Sequence, residues 1–149
     1  MKLHANINTT LNAVTAYGPG FVDVNKVRYE TAVCFGPEGD VAVWPVRDAA
    51  EITTDLLRRA CRIEKKTSNP LDFLQSEESA LRVPAPDTPE ILLIGTGKKQ
   101  FMVNREILKP LLTLGIGVEC MTTGAAARTY NVLMHEGRRV IAALLIEEL

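Results

Sequence analysis

From residue 90 onward the chain alternates between two hydrophobic periods, and this restricts its fold more than any other feature. "EILLIGTGKK" holds a continuous apolar run from Ile91 to Ile94, the mark of a strand covered on both faces. "NREILKPLLTLG" then has helical spacing, with Asn104 placed to cap it and Gly115 to stop it. Pro110 falls inside that pattern, where proline costs up to about 3 kcal/mol unless the helix bends or begins later. "IGVECM" reads as a second strand, "TTGAAARTYNVLMHEG" as a second helix ending near Gly137, and "RRVIAALLIEEL" as a final apolar strand. The order strand, helix, strand, helix, strand defines a layered α/β sheet. The strands over 90–95, 116–121 and 138–146 are expected to be central, because apolar runs need cover on both faces.

The first half reads differently. Val27, Tyr29, Thr31, Val33 and Phe35 alternate at the period of a strand, "GPEGD" follows, and "VAVWPV" closes an expected antiparallel hairpin over 27–46. Pro45 places its second strand near an edge or its end. Upstream, "YGPGFVDV" supplies a turn and another short strand. Leu56, Leu57, Ala60 and Ile63 predict a helix over 53–66 with Thr53 or Thr54 as its cap. Pro70, Pro84, Pro86 and Pro89, with "QSEES" between them, predict a long surface connection over 67–89. The hairpins should extend or flank the sheet, giving a single α/β domain over residues 1–149.

Composition narrows the function classes. A net charge of −1 gives no basic field for nucleic acid, and no apolar run reaches the roughly 18 residues of a membrane span. Cys34, Cys61 and Cys120 form no Cys-x-x-Cys pair, and His4 and His135 lack metal-binding spacing, so buried reduced thiols and no zinc site are expected. The N-terminus has one lysine and no long apolar core, and the chain reads as cytoplasmic.

Two turns follow strands and resemble one another: Gly95-Thr96-Gly97, and Thr122-Thr123-Gly124, which also opens a helix. Crevices form outside the carboxyl ends of strands in open α/β sheets, and helix N-termini expose amides. On a helical wheel Gly124, Arg128, Asn131 and His135 share one stripe, while Ala126, Ala127, Tyr130, Leu133 and Met134 form the apolar arc. The small alanines would let the helix approach the sheet, with Arg128 and Asn131 facing elsewhere. In one reading the Thr123 and Gly124 amides hold a carboxylate or phosphate, with Arg128 as a bidentate partner. In the preferred reading the threonines cap the helix, and Arg128 binds a carboxylate or loop carbonyl of the same chain. Gln100 stands where a dinucleotide fingerprint needs a third glycine, and no Walker lysine-serine or lysine-threonine pair is present, so no cofactor is expected. Glu119, Glu136, Glu147 and Glu148 read as solvated charges. Cys120 and His135 would form a nucleophile and base only if folding joined them, so no catalytic residue is assigned.

"ILLIGTG", "GIGVECMTTGAAARTYNVL" and "EGRRVIAALL" together resemble the uncharacterised α/β domain family that includes the mitochondrial respiratory complex I assembly factor 3 and its bacterial relatives. The similarity runs over about residues 90 to 146, with a weaker match in the layout of Tyr17, Gly18, Tyr29 and Trp44. Matching motif positions are Gly95, Thr96, Gly97, Glu119, Thr123, Ala125, Ala126, Arg128, Thr129, Tyr130, Asn131, Glu136 and Arg138. The resemblance implies a three-layer fold with a central mixed sheet, flanking helices and a small additional β layer. It also implies a non-catalytic protein-interaction factor that assists assembly of a membrane respiratory complex, with other proteins, including subunits of that complex, as partners. The lack of an Arg-rich transit segment favours a bacterial cytoplasmic protein. The alternative is a small-molecule or anion-binding protein, or an enzyme, that uses the crevice at Gly95–Gly97 and Thr122–Gly124.

Overall fold

The computed structural model describes residues 11–63 and 88–148. Almost all of the expected 67–89 connection lies outside them, as do His4 and the end of the expected 53–66 helix. Strands β1 (Val14–Gly18), β2 (Phe21–Val24) and β3 (Val27–Tyr29) form an antiparallel three-stranded sheet in the order β1-β2-β3. Strands β4 (Val33–Phe35), β5 (Ala42–Val43), β6 (Ile91–Gly95), β7 (Gly117–Met121) and β8 (Val140–Leu144) form a five-stranded mixed sheet in the order β5-β4-β8-β6-β7. The helices are α1 (Thr54–Ala60), α2 (Arg105–Thr113) and α3 (Thr123–His135), with a 3-10 turn at Ala49–Glu51.

Two hydrophobic clusters sandwich the larger sheet. Leu92, Ile94, Ile141 and Ala143 point toward α1 and α2, which contribute Leu57, Leu108 and Leu111. Leu93, Val140, Ala142 and Leu144 point the other way, toward Ala126, Ala127, Tyr130 and Met134 of α3 and toward Val14, Val22 and Val24 of the small sheet. The period of two in each strand therefore feeds both layers. The first half of the chain both extends and flanks the larger sheet: β4 joins β8 antiparallel, whereas β1 to β3 form the additional β layer.

Three expectations need correction. Strand β7 is an edge strand, not a central one: β6 and β8 pair with each other, and β7 pairs only with β6. Ile116 and Cys120 are buried and Val118 is half-buried, but Gly117 and Glu119 are exposed, because α3 lies over β6 and β8 and leaves that face of β7 open. The expected strand over 27–35 breaks at Glu30–Ala32, so that β3 belongs to the small sheet and β4 to the large one. The helix expected over 53–66 ends at Ala60, since Arg62 takes a left-handed φ of 59°. Its guanidinium then donates to the carbonyls of Glu38 and Asp40 and holds the β4–β5 turn.

The caps follow the sequence. Thr53 accepts from Leu56 N–H and Asn104 from Glu106 N–H, while Gly115 and Gly137, with φ of 84° and 79°, end the two later helices. Pro110 sits inside α2, which stays helical around it. At the opposite end of the sheet, Arg138 Nε lies 2.5 Å from Glu90 Oε2 and joins the starts of β8 and β6. The Arg138 guanidinium holds the Glu90 carboxyl below the usual carboxylate range. Any stability this pair gives is present above the ordinary glutamate pKa and is lost as pH falls through the lowered value.

In native-state hydrogen exchange the amides of β6 and β8 should be the last to exchange, at the rate of global unfolding, with β5 and β7 opening earlier. Equal protection of β7 and β8 would contradict the edge position.

Candidate functional site

The two look-alike turns meet. Gly97 N–H donates to Thr123 Oγ1 at 2.8 Å, Thr123 N–H donates back to the Gly97 carbonyl at 2.9 Å, and the Thr123 hydroxyl donates to the Leu145 carbonyl at 2.6 Å. One buried side chain thus ties together the ends of β6 and β8 and the first turn of α3, with its donor and one acceptor site used. Gly95 makes this approach possible: a Cβ there would lie 2.9 Å from a Leu144 methyl and 3.0 Å from both Cα and Oγ1 of Thr123. Thr122, not Thr123, is the cap, accepting from Ala125 N–H. The Thr96 hydroxyl lies 2.7 Å from the Lys99 carbonyl and accepts from Phe101 N–H, closing its own loop.

The stripe of Gly124, Arg128 and Asn131 faces the small sheet. A Cβ on Gly124 would come 2.8 Å from the Tyr17 ring, so the glycine forms the floor on which that ring rests. Arg128 donates to the Tyr17 hydroxyl, in place of the carboxylate or carbonyl expected from the sequence, and its guanidinium carbon lies 5.9 Å from the ring centroid. Asn131 carries more of the junction: its Oδ1 accepts from Val14 N–H at 2.9 Å and its Nδ2 donates to the Val14 carbonyl at 2.8 Å. The carboxamide pairs with the free edge of β1 as another strand would. Sequence reasoning put Arg128 and Asn131 on one face correctly but did not name β1 as the partner of that face, since β1 lies over a hundred residues away in the chain.

A second junction escaped the sequence reading. Asn12 Nδ2 donates to the carbonyls of Gly36 and Gly39, Asn12 Oδ1 accepts from Asn25 Nδ2, and the Asn12 carbonyl accepts from the Tyr130 hydroxyl. The Tyr130 ring meets Phe35 edge to face at 4.9 Å, and burial raises its hydroxyl pKa. Nothing local marks an asparagine for such a role.

The other candidates stay apart. Cys120 precedes α3 and His135 ends it, and thirteen helical residues span about 20 Å, so the two form no nucleophile and base pair. Cys34, Cys61 and Cys120 are free and buried, as expected. Burial pushes the Cys61 thiol up to about 12, which leaves it without thiolate character at neutral pH. No His, Cys, Asp and Glu cluster with metal-binding geometry occurs among the described residues. No helix among them is long and apolar enough to cross a membrane.

These features define a layered α/β protein whose glycines and small polar side chains join two sheets through one helix. The chain belongs to the family described as protein of unknown function (DUF498/DUF598), whose profile matches residues 14–145. It is similar to the crystal structure of a Bordetella parapertussis protein, with 46% identity, a TM-score of 0.74, and coverage of 93% of this chain and 98% of that one. It is also similar to a Bordetella pertussis solution structure described as a Mth938-like domain, with 49% identity, a TM-score of 0.75, and coverage of 95% and 90%. Among curated proteins it is 37% identical over 76 residues to the 13 kDa major membrane protein of Francisella tularensis, covering 50% of this chain and 62% of that protein. It is 41% identical over 56 residues to NADH dehydrogenase [ubiquinone] 1 alpha subcomplex assembly factor 3 of Rattus norvegicus, covering 38% of this chain and 30% of that protein. The chain thus spans less than two thirds of each of these curated relatives.

Asn131→Ala should cost about 1 to 3 kcal/mol in urea unfolding, because it strips two bonds from partly buried backbone groups. Arg128→Ala, which removes an exposed contact, should cost under about 1 kcal/mol. The reverse order would place the anchor of the small sheet at Arg128.

Proposed function

We propose that this chain is a non-catalytic protein-interaction factor that assists assembly of a membrane respiratory complex, working in a bacterial cytoplasm with subunits of that complex as partners. The observation that carries this reading is its 41% identity to a protein named as an assembly factor for NADH dehydrogenase. Three features of the chain support it. The matching motif residues at Gly95, Thr123 and Asn131 are spent on internal packing. The thiols are buried, and the candidate nucleophile and base lie at opposite ends of α3. A fold of this kind sets no reaction by itself, so the assignment rests on the relative's role.

Deletion of the gene should lower the amount of assembled NADH dehydrogenase complex on native gels, and the wild-type chain supplied in trans should restore it. Affinity capture of the full chain from native lysate should recover subunits of the same complex. Unchanged complex levels in the deletion strain, together with a reproducible substrate turnover by the purified chain, would overturn the proposal.

A further inference from the structure

The parallel strand β6 has β7 on one side and β8 on the other. The chain leaves β6 through α2 on one face of the sheet and returns from β7 to β8 through α3 on the other. The segments that follow β6 and β8 therefore depart to opposite sides, the first toward α2 and the second toward Gly20, whose N–H bonds the Glu147 carbonyl. Ligands of open α/β sheets bind beyond the carboxyl ends of the strands, and this divergence opens space at that end of the sheet.

A cavity of about 450 Å³ lies there, lined by Thr96 to Phe101, by Leu145, Ile146 and Glu148, and by Arg47 to Ala49. It opens beside the Thr123 junction, not at the Thr122–Gly124 turn, and its volume suits a small molecule. Three cations reach it, Arg47, Lys98 and Lys99, and none forms a salt bridge among the described residues. Two carboxylates, Asp48 and Glu148, also line it; Asp48 accepts from Ala50 N–H and keeps its charge, so the three cations outnumber the acids by one. Gly97, with φ of 94°, is buried and bonded to Thr123 through both its N–H and its carbonyl, but nothing lies within 4 Å of where a Cβ would stand, so the cavity is open on that side. The ring of Phe101 is 43% exposed, and with Ile146 it gives the cavity an apolar wall.

Three cations beside an apolar wall suit a compact dianion joined to a hydrophobic body. We propose that this cavity binds a small organic phosphate, with its phosphate among Lys98, Lys99 and Arg47 and its apolar body against Phe101 and Ile146. This goes beyond the assembly reading and does not depend on it, since Arg47 stands outside every motif described above.

The test is an amide NMR titration of the full chain with phenyl phosphate, using inorganic phosphate and phenol as comparison probes. Phenyl phosphate should give saturable shifts at residues 47, 96–101 and 145–148, and should bind more tightly than either comparison probe. The double variant Lys98→Ala/Lys99→Ala should weaken it about tenfold or more, while Lys109→Ala on α2 leaves it unchanged. Phe101→Ala should weaken phenyl phosphate but not inorganic phosphate. Both lysines are exposed, so the double variant should keep its melting temperature. Raising the salt should weaken wild-type binding and gives a readout that needs no variant. Absence of saturable shifts at those amides, equal binding by the double variant, or inorganic phosphate binding as tightly as phenyl phosphate would overturn the proposal.

Discussion

One hydroxyl group holds the ends of three elements together. Thr123 lies at the first turn of α3, and its side chain accepts from the loop after β6 and donates to the residue after β8. A buried hydroxyl with no partners would be costly, but here it meets the two backbone groups that the end of a parallel strand pair leaves open. Gly95 has no side chain to block the approach, and Ala126 and Ala127 let the rest of the helix follow it onto the sheet. Close packing and polar satisfaction thus fall at the same point.

The position of α3 decides the rest. Its apolar arc covers β6 and β8, while the stripe of Gly124, Arg128 and Asn131 turns toward β1. Three side chains of α3 bind the small sheet and its lead-in: the Asn131 carboxamide pairs with Val14, Arg128 donates to the Tyr17 hydroxyl, and the Tyr130 hydroxyl reaches Asn12. The helix is therefore a shared wall between two sheets, and that accounts for a composition rich in small residues. Thr123 and Asn131 hold the molecule together, as the structural reading of the motif expects, and the unspent charge lies at Lys98 and Lys99, next to Gly97 in the loop after β6.

Much of this was legible in the residues. Apolar runs at Ile91–Ile94 and Val140–Leu145 marked the two central strands, and the turn chemistry around Pro37 and Gly39 marked the β4–β5 hairpin. Strand β7 was misplaced although its signal was present: Ile116, Val118 and Cys120 alternate with Gly117, Glu119 and Met121, the pattern of one covered face. The break at Glu30–Ala32 could not be read, because both halves keep the same period of two while belonging to different sheets. Adjacent Thr122 and Thr123 are chemically alike, and only the fold assigns one to capping and the other to bridging. Arg47 came to no notice as a site residue, since its partners in the cavity lie some fifty and a hundred residues downstream.

The most direct test of this account is urea unfolding of Thr123→Val and Thr123→Ser beside the wild-type chain. Valine keeps the shape and removes the hydroxyl, leaving Gly97 N–H and the Leu145 carbonyl without their partner, and should cost about 2 to 4 kcal/mol. Serine keeps the hydroxyl and should restore most of that loss. Equal stability of the valine variant and the wild-type chain would contradict the claim that this bridge holds the strand ends to the helix.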